Sequence, residues 1–247
     1  MNSTPEKSWR VHTGAVTLAP AKMFTHPTRL ASAWKPDIME ISLPAQHKDD
    51  REIELTVRQG STRSLGIEPN NVYKKLYKRF AAPIQMEEEY IYDSRYETDG
   101  NIAHILTNIA STVLVANQMC LKVTVILREN ATTMAKNAYK ILGIPVLCTN
   151  TDVQGKLLLT SHGSEDTYEG LYRSLFGNLL FEGYTQQTPE RVFISRKGTR
   201  RLINEDEVEQ TLQEYGFQKL YFEDIPISEQ WSITKNAKVI VGMHGAA

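Results

Sequence analysis

In the C-terminal stretch, residues 191–247, short apolar runs alternate with segments of predicted helix. Buried parallel strands read as continuous apolar runs, and we predict three of them, at 192–194, 219–222 and 238–241. In the two intervening segments the apolar residues recur with helical spacing. The result is the order β-α-β-α-β, which predicts a parallel sheet whose ligands lie at the carboxyl ends of the strands.

Local signals define the ends of these two helices. Asn204, followed three residues later by Glu207, has the pattern of a capping box and predicts a helix start. Gly216 predicts the end of that helix because glycine favours the conformation that closes a helix. Ser228 is the predicted N-cap of the second helix, which should end near Ala237.

The N-terminal half repeats this alternation. An almost wholly apolar strand at 121–127 is followed by a helix at 130–143 and by strands that begin at 145 and 156. Before this unit, a turn at 99–101 starts a helix with one apolar face. That face consists of Ile102, Ile105, Ile109 and Val113. The pattern predicts an α/β protein of two Rossmann-like domains rather than one decorated sheet.

The remaining segments are less regular. Strands and amphipathic helices are predicted there at 37–43, 52–57, 71–80 and 167–180. The turn-rich polar stretch 183–189 is typical of an interdomain linker. We therefore divide the chain into a Rossmann-like domain at 1–184, which begins with an irregular β-rich segment, and part of a second domain at 185–247.

Composition narrows the classes of function. A net charge of −1 argues against a general nucleic-acid binder, because such domains usually carry an excess of basic residues. No apolar run near the N-terminus has the form of a signal peptide or membrane anchor, so the expected location is the cytoplasm. Cys120 and Cys148 lack metal-ligand spacing and are expected to be buried thiols.

Cationic side chains cluster where the first C-terminal strand ends. They are Arg196, Lys197, Arg200 and Arg201. The third strand is followed by a Gly-x-His-Gly segment that contains His244 and Gly245, where backbone and an imidazole can approach a ligand closely. A diphosphate suits this arrangement because arginine binds phosphate bidentately. Taken singly, an arginine cluster is also typical of a solvated face, and a loop histidine of polar surface.

The ordered motifs of this stretch resemble the C-terminal signature of glycosyltransferase family 61. They are Ile-Ser-Arg-Lys at 194–197, Arg-Arg at 200–201, Asn-Glu-Asp-Glu at 204–207, Gly-Phe at 216–217, Glu-Gln at 229–230 and Val-Gly-Met-His-Gly-Ala at 241–246. The family includes plant-wall xylosyl- and arabinosyltransferases, protein O-GlcNAc transferases and bacterial members. The resemblance implies a GT-B architecture, a sugar nucleotide held mainly by the C-terminal domain, and inverting transfer without an obligatory metal.

Roles for single residues follow from this resemblance. The four cations and the segment after the third strand would hold the diphosphate, and Glu229 would accept a ribose or sugar hydroxyl. Asp99, His104 and the acidic run near residue 87 are candidates for the acceptor-activating base. His104 ranks first because the segment 100–104 resembles the stretch in which the family places a cleft-facing histidine. A structural or capping histidine is the alternative. The family often has an acidic residue shortly after this histidine, where this chain has Asn108.

We therefore expect a metal-independent, inverting glycosyltransferase that uses a nucleoside-diphosphate sugar, with UDP-sugar as the first expectation. The chain has no Asp-x-Asp motif, and no cofactor is expected besides the donor substrate. The expected acceptor is a glycan or a lipid-linked precursor, which would bring the protein into peripheral contact with the inner face of the membrane. No nucleic-acid partner is expected.

Two alternatives stay open. A polysaccharide pyruvyl-type transferase can share the two-domain plan and the His-Gly segment. The chain also stops at Ala247, where the family has a further helix at the nucleotide, so the C-terminal domain is expected to be incomplete. The second alternative is therefore a truncated, non-catalytic nucleotide-binding fragment.

Overall fold

A six-stranded and a three-stranded sheet form the frame of the part of the chain that the computed structural model describes. The described residues are 7–12, 15–18, 20–25, 28–30, 33–35, 39–50, 52–62, 82–95, 99–160, 188–198 and 201–243. The helices predicted at 71–80 and 167–180 lie outside these residues, and so do residues 183–187 of the predicted linker.

A long antiparallel ribbon opens the chain. Its strands are β1 (Lys7–His12), β2 (Val16–Leu18), β3 (Ala21–Thr25), β4 (Thr28–Leu30), β5 (Ala33–Lys35), β6 (Met39–Leu43), β7 (Gln46–Lys48) and β8 (Glu52–Ser61). The pairs β1 with β8, β2 with β7, β3 with β6 and β4 with β5 are nested. The ribbon is therefore one hairpin with its turn between β4 and β5. The strands predicted at 37–43 and 52–57 are confirmed as β6 and β8.

The larger sheet joins the base of this ribbon to a parallel unit. That unit contains β9 (Ile84–Asp93), β10 (Val123–Leu127), β11 (Val146–Cys148) and β12 (Val153–Thr160). Strand β10 is parallel to β9 and β11, and β12 is parallel to β9 but antiparallel to β8. The strand order is β1-β8-β12-β9-β10-β11. The predicted parallel α/β arrangement is thus confirmed for this sheet, with two antiparallel strands added at one edge.

Two helices connect the parallel strands. Helix α1 has three consecutive segments, α-helical Ile102–His104, π-helical Ile105–Ala110 and α-helical Ser111–Gln118. Helix α2 is Thr133–Ile141. Asn101 starts α1, as predicted, because its Oδ1 accepts a hydrogen bond from the Ala103 amide at 3.0 Å. Gly143, with φ +67°, ends α2 in the left-handed conformation that glycine adopts most easily.

An apolar core fills the space between the larger sheet and these helices. On the predicted face of α1, Ile105 and Ile109 are each 1% exposed and Val113 is fully buried. They pack in one cluster with strand residues such as Val123 and with Tyr139 of α2. Burying an aliphatic side chain of this size contributes roughly 1.5–3 kcal/mol, so this face fixes how α1 lies on the sheet.

The C-terminal unit has the predicted order of elements. They are β13 (Arg191–Ser195), α3 (Glu205–Glu214), β14 (Gln218–Tyr221), a 3₁₀ turn (Phe222–Asp224), α4 (Ile227–Asn236) and β15 (Val239–Gly242). Strand β13 lies between β14 and β15 and is parallel to both. The prediction of a parallel β-α-β-α-β sheet is therefore confirmed.

Three local predictions are wrong. The Asn204 side chain does not cap α3, because its backbone is not extended (φ −107°, ψ 42°) and its Nδ2 instead donates to Glu207 at 3.3 Å. Helix α4 begins after Pro226, so Ser228 lies inside the helix and is not its cap. Cys120 is exposed rather than buried, because it lies in the turn after α1 with φ +62°.

Helix α4 connects the two sheets. Ile227 belongs to the core of the larger sheet, and Trp231 packs against that core. Ile233, on the other side of the same helix, packs with Val192 and Ile194 of β13. Because one helix contributes to both cores and also packs against α2, it fixes the position of the smaller sheet relative to the larger one.

Candidate functional site

A cleft of about 300 Å³ lies between the start of α1 and the carboxyl ends of β13 and β14. Its lining includes Asn101, Ile102, Arg196, Phe222, Glu223 and Gln230. In open parallel sheets, ligands bind outside the carboxyl ends of the strands. The cleft occupies that position for the smaller sheet, and its other side is formed by the start of α1 and by Met134 of α2. It is therefore the candidate functional site.

Arg196 is the cation that the cleft contains, as far as the described residues show. It directly follows β13 and is half-buried. Within the described part of the chain its guanidinium has neither a hydrogen-bond nor an ion-pair partner. A guanidinium presents several donors in a fixed plane and suits a bidentate contact with phosphate or carboxylate oxygens. Arg196 thus gives the cleft a cationic group that can bind an anionic ligand.

Lys197 is the next residue, but its charge is already compensated. Its ammonium forms an exposed ion pair with Asp224, and the hydrogen bond that it donates to this carboxylate raises the pKa of Lys197. The ammonium also lies 5.2 Å from the centre of the Tyr221 ring. The structure therefore separates two neighbouring predicted cations, since Arg196 lines the cleft and Lys197 pairs with the 3₁₀ turn.

A polar network fixes the loop that carries these cations. Oε1 of Glu205 accepts hydrogen bonds from Ser195 Oγ and Tyr221 Oη, each at 2.8 Å, and forms an ion pair with Lys219 Nζ at 2.7 Å. These donors lower the pKa of Glu205 to about 2, with the Lys219 hydrogen bond as the largest cause. Glu205 thereby ties the start of α3 to the ends of β13 and β14.

Lys219 is held from two sides in the same network. Besides Glu205 it contacts Glu209 Oε2 at 2.6 Å, and these two hydrogen bonds raise the pKa of Lys219. Only 16% of its side chain is exposed. The acidic run after Asn204 is therefore more than a helix-dipole feature, because its first residue is the acceptor that joins the two strands.

The other predicted site residues occupy different places. Arg201 is exposed, and Arg200, His244 and Gly245 lie outside the described residues. Glu229 is half-buried in the first turn of α4 and is not among the cleft residues. The next residue, Gln230, lines the cleft, and its amide donates to the carbonyl oxygens of Phe222 and Ile225, each at 2.8 Å. The roles predicted for these residues stay predictions.

His104 lies near the cleft without lining it. On this side the described lining consists of Gly100, Asn101 and Ile102 at the start of α1 and of Met134 in α2. His104 is half-buried at the end of the first α-helical segment, where the π-helical segment begins. π-helical turns are rare and are frequent at functional sites. The role of His104 as a base stays a prediction.

Glu223 is the cleft residue that the sequence analysis missed. It follows β14 and belongs to the 3₁₀ turn. Nucleotide-binding β-α-β units often carry an acidic residue at the end of their second strand, so a signal was available. That signal is the acidic pair Glu223 and Asp224, directly after the strand predicted at 219–222.

A buried polar cluster around a single arginine, Arg95, lies beside the larger sheet. Arg95 follows β9, and its guanidinium forms a bidentate pair with Asp93, with Nε–Oδ1 at 2.8 Å and Nη2–Oδ2 at 2.7 Å. Its Nη1 donates to the carbonyl oxygen of Thr151 at 2.9 Å. The side chains of Arg95 and Asp93 are 5% and 1% exposed. This cluster is sealed from solvent and is not part of the cleft.

The sequence matches a known protein family over most of its length. The family described as Glycosyltransferase 61 matches residues 54–247, which include both sides of the cleft. The EGF domain-specific O-linked N-acetylglucosamine transferase of Drosophila melanogaster is 35% identical over 65 residues, which cover 25% of this chain. That alignment spans 12% of the length of the fly protein. No solved structure matches the chain.

The described helices also bear on membrane contact. None of the helices in the described part of the chain combines the length and the apolar composition that a membrane span requires.

Proposed function

Because the chain belongs to the glycosyltransferase 61 family, we propose that its cleft binds a nucleoside-diphosphate sugar, with a UDP-sugar as the donor. The sugar is transferred with inversion to a hydroxyl of a glycan or of a lipid-linked acceptor. The fly relative is named as an O-linked N-acetylglucosamine transferase, and transfer of a sugar to a hydroxyl is the chemistry that this name describes.

The observation that carries this proposal is the position of Arg196. It lines a cleft at the carboxyl end of a parallel strand and has no partner within the described residues. The departing diphosphate gains negative charge during transfer, and a preorganised guanidinium stabilises this charge in place of bulk water. A bidentate, charge-assisted contact is stronger than a neutral hydrogen bond. Arg196 is therefore the first diphosphate ligand in our proposal.

Further roles are proposed around Arg196. The remaining predicted ligands of the nucleotide are Arg200, Arg201, Glu229, His244 and Gly245, and Lys197 has a secondary role because its ammonium pairs with Asp224. His104 is proposed as the base that removes the proton from the acceptor hydroxyl, because an imidazole nitrogen can accept a proton and this residue lies on the helix that borders the cleft. Transfer is proposed to need no metal and no cofactor, since the chain has no Asp-x-Asp motif and the cleft contains a cation of its own.

The proposed architecture is of the GT-B type. Residues 1–184 form an acceptor-side Rossmann-like domain and 185–247 part of a nucleotide-sugar-binding domain. The position of the cleft supports this proposal, because its walls come from helix α1 of one unit and from the strand ends of the other. We propose that the protein works in the cytoplasm, at the inner face of the membrane when its acceptor is lipid-linked.

Calorimetric titration of UDP in the presence of EDTA tests the donor site. The 247-residue chain should bind UDP saturably. Arg196→Ala should weaken binding about tenfold to hundredfold, which is the effect of losing a hydrogen-bonded charge. Arg191→Ala is the matched control, because Arg191 lies at the other end of the same strand, where it is exposed and donates to the Tyr215 carbonyl oxygen. UDP should bind to Arg191→Ala as tightly as to the unchanged chain.

The same titration separates the proposal from its rivals. Saturable binding of phosphoenolpyruvate in place of UDP would favour a pyruvyl-type transferase. An equal loss in Arg196→Ala and Arg191→Ala would remove Arg196 from the site. No UDP binding to the unchanged chain would overturn the proposed donor.

A further inference from the structure

We propose that Glu223 recognises the ribose of the donor nucleotide by accepting hydrogen bonds from its 2′- and 3′-hydroxyl groups, and that it thereby selects ribonucleotides over deoxyribonucleotides. This inference rests on the proposed function, since it assigns a protein ligand to the ribose of the nucleotide whose diphosphate Arg196 holds.

The topology places Glu223 where ribose recognition occurs in nucleotide-binding sheets. Strand β13, helix α3 and strand β14 form one β-α-β unit, and β14 is the direct parallel neighbour of β13. In such units the diphosphate lies at the loop after the first strand, and an acidic residue at the end of the second strand contacts the ribose hydroxyls. Arg196 follows the first strand, and Glu223 follows the second.

Of the nearby carboxylates, Glu223 is the one that faces the cleft. Both Arg196 and Glu223 line the cleft, whereas Asp224 and Glu229 are absent from its described lining. The carboxylate of Asp224 is occupied by the ammonium of Lys197. The cleft therefore combines a cation and a carboxylate, which match the two polar parts of a nucleoside diphosphate.

The carboxylate of Glu223 is anchored and still has free acceptor capacity. Its Oε1 accepts the Lys197 backbone amide at 3.3 Å, which links it to the loop that carries Arg196. No partner within the described residues contacts Oε2, and the side chain is exposed. A carboxylate has about four acceptor sites, so both hydroxyl groups of a vicinal diol can be accepted without breaking the contact with Lys197.

Binding of UDP and 2′-deoxy-UDP to matched variants tests this assignment. The unchanged chain should bind UDP about tenfold more tightly than 2′-deoxy-UDP, because the second ligand lacks one hydrogen bond to a charged acceptor. Glu223→Gln keeps an oxygen for the Lys197 amide but removes the charge. It should weaken UDP binding about tenfold more than 2′-deoxy-UDP binding, because the deoxy ligand has only its 3′-hydroxyl contact to lose, so that the preference for ribose nearly disappears.

Two control variants make the result specific. Asp224→Asn removes the neighbouring carboxylate that pairs with Lys197, and Glu229→Gln removes the carboxylate predicted for this role from the sequence. Both should keep the tenfold preference for UDP, because Glu223 takes the ribose and leaves to Glu229 only hydroxyl groups of the donor sugar, which UDP lacks.

Each outcome decides the assignment. A full ribose preference in Glu223→Gln would overturn it while UDP binding itself remained intact, and loss of the preference in Glu229→Gln would transfer the role to that residue. If the unchanged chain bound neither nucleotide, the proposed function would fail, and this inference with it.

Discussion

Two arginines follow parallel strands in this protein, and their surroundings are opposite. Arg95, after β9, is 5% exposed and donates to Asp93 and to the carbonyl oxygen of Thr151. Arg196, after β13, is half-buried, lines the cleft and has no partner in the described part of the chain. The same residue type at the same end of a strand thus forms a buried ion pair in one sheet and lines a cleft in the other.

The difference lies in the neighbouring carboxylates. Asp93 lies two residues before Arg95 and meets it with both oxygens, so the charge of the arginine is neutralised where it is buried. Beside Arg196, Glu205 binds Lys219 and Asp224 binds Lys197, and Glu223 accepts the Lys197 backbone amide. None of these three carboxylates forms an ion pair with Arg196, so its guanidinium is not neutralised within the described residues. The substitutions below test this comparison.

The largest effect should come from Arg95→Ala. It leaves the buried carboxylate of Asp93 without its cation and should lower the free energy of unfolding by about 3–5 kcal/mol, measured by urea denaturation. The double variant Asp93→Asn with Arg95→Met removes both charges and should recover part of this loss. A loss below about 1 kcal/mol in Arg95→Ala would show that the pair does not stabilise the fold.

Glu205→Gln should have the next largest effect. It removes the charge that binds Lys219 and should cost about 2 kcal/mol of unfolding free energy near pH 7. The pKa of Glu205 is lowered from 4.5 to about 2 in the folded state. Its contribution is therefore fully present above about pH 4.5 and is lost as the pH falls towards 2.

Urea denaturation at several pH values measures this contribution. The difference in stability between the unchanged chain and Glu205→Gln should shrink between pH 4.5 and 2. A difference that stayed constant over this range would show that Glu205 does not titrate as the network implies.

Arg196→Lys should produce a smaller change, and in binding rather than in stability. Lysine keeps the positive charge but cannot make a bidentate contact, so UDP affinity should fall about tenfold by calorimetry. The free energy of unfolding should stay within about 0.5 kcal/mol of the unchanged value. A loss of stability comparable to that of Arg95→Ala would mean that Arg196 is also a structural residue.

The smallest effect should follow from Lys197→Ala. This substitution removes an exposed ion pair, in which about half of each side chain is in contact with solvent. Pairs of this kind contribute between about 0 and 1 kcal/mol, so both stability and UDP affinity should change little. A loss of UDP binding as large as in Arg196→Ala would contradict the separation of the two cations.

Much of the fold could be predicted from local patterns. The parallel C-terminal unit, the apolar face of α1 and the helix ends at Asn101, Gly143 and Gly216 were all confirmed. These features depend on residues close together in the sequence. The capping predictions for Asn204 and Ser228 failed because a cap requires a particular backbone conformation, and the chain on either side of each residue sets that conformation.

The sequence by itself determined the order of strands and helices and the accumulation of cations after β13, because periodicity and residue type are local properties. Only the tertiary structure decided which cation is available. Arg196 and Lys197 are adjacent in the chain, yet one lines the cleft and the other pairs with Asp224 from the next strand. Charge pairing acts through space, so Glu205, Glu223 and Asp224 acquire their contacts only when the strands lie side by side.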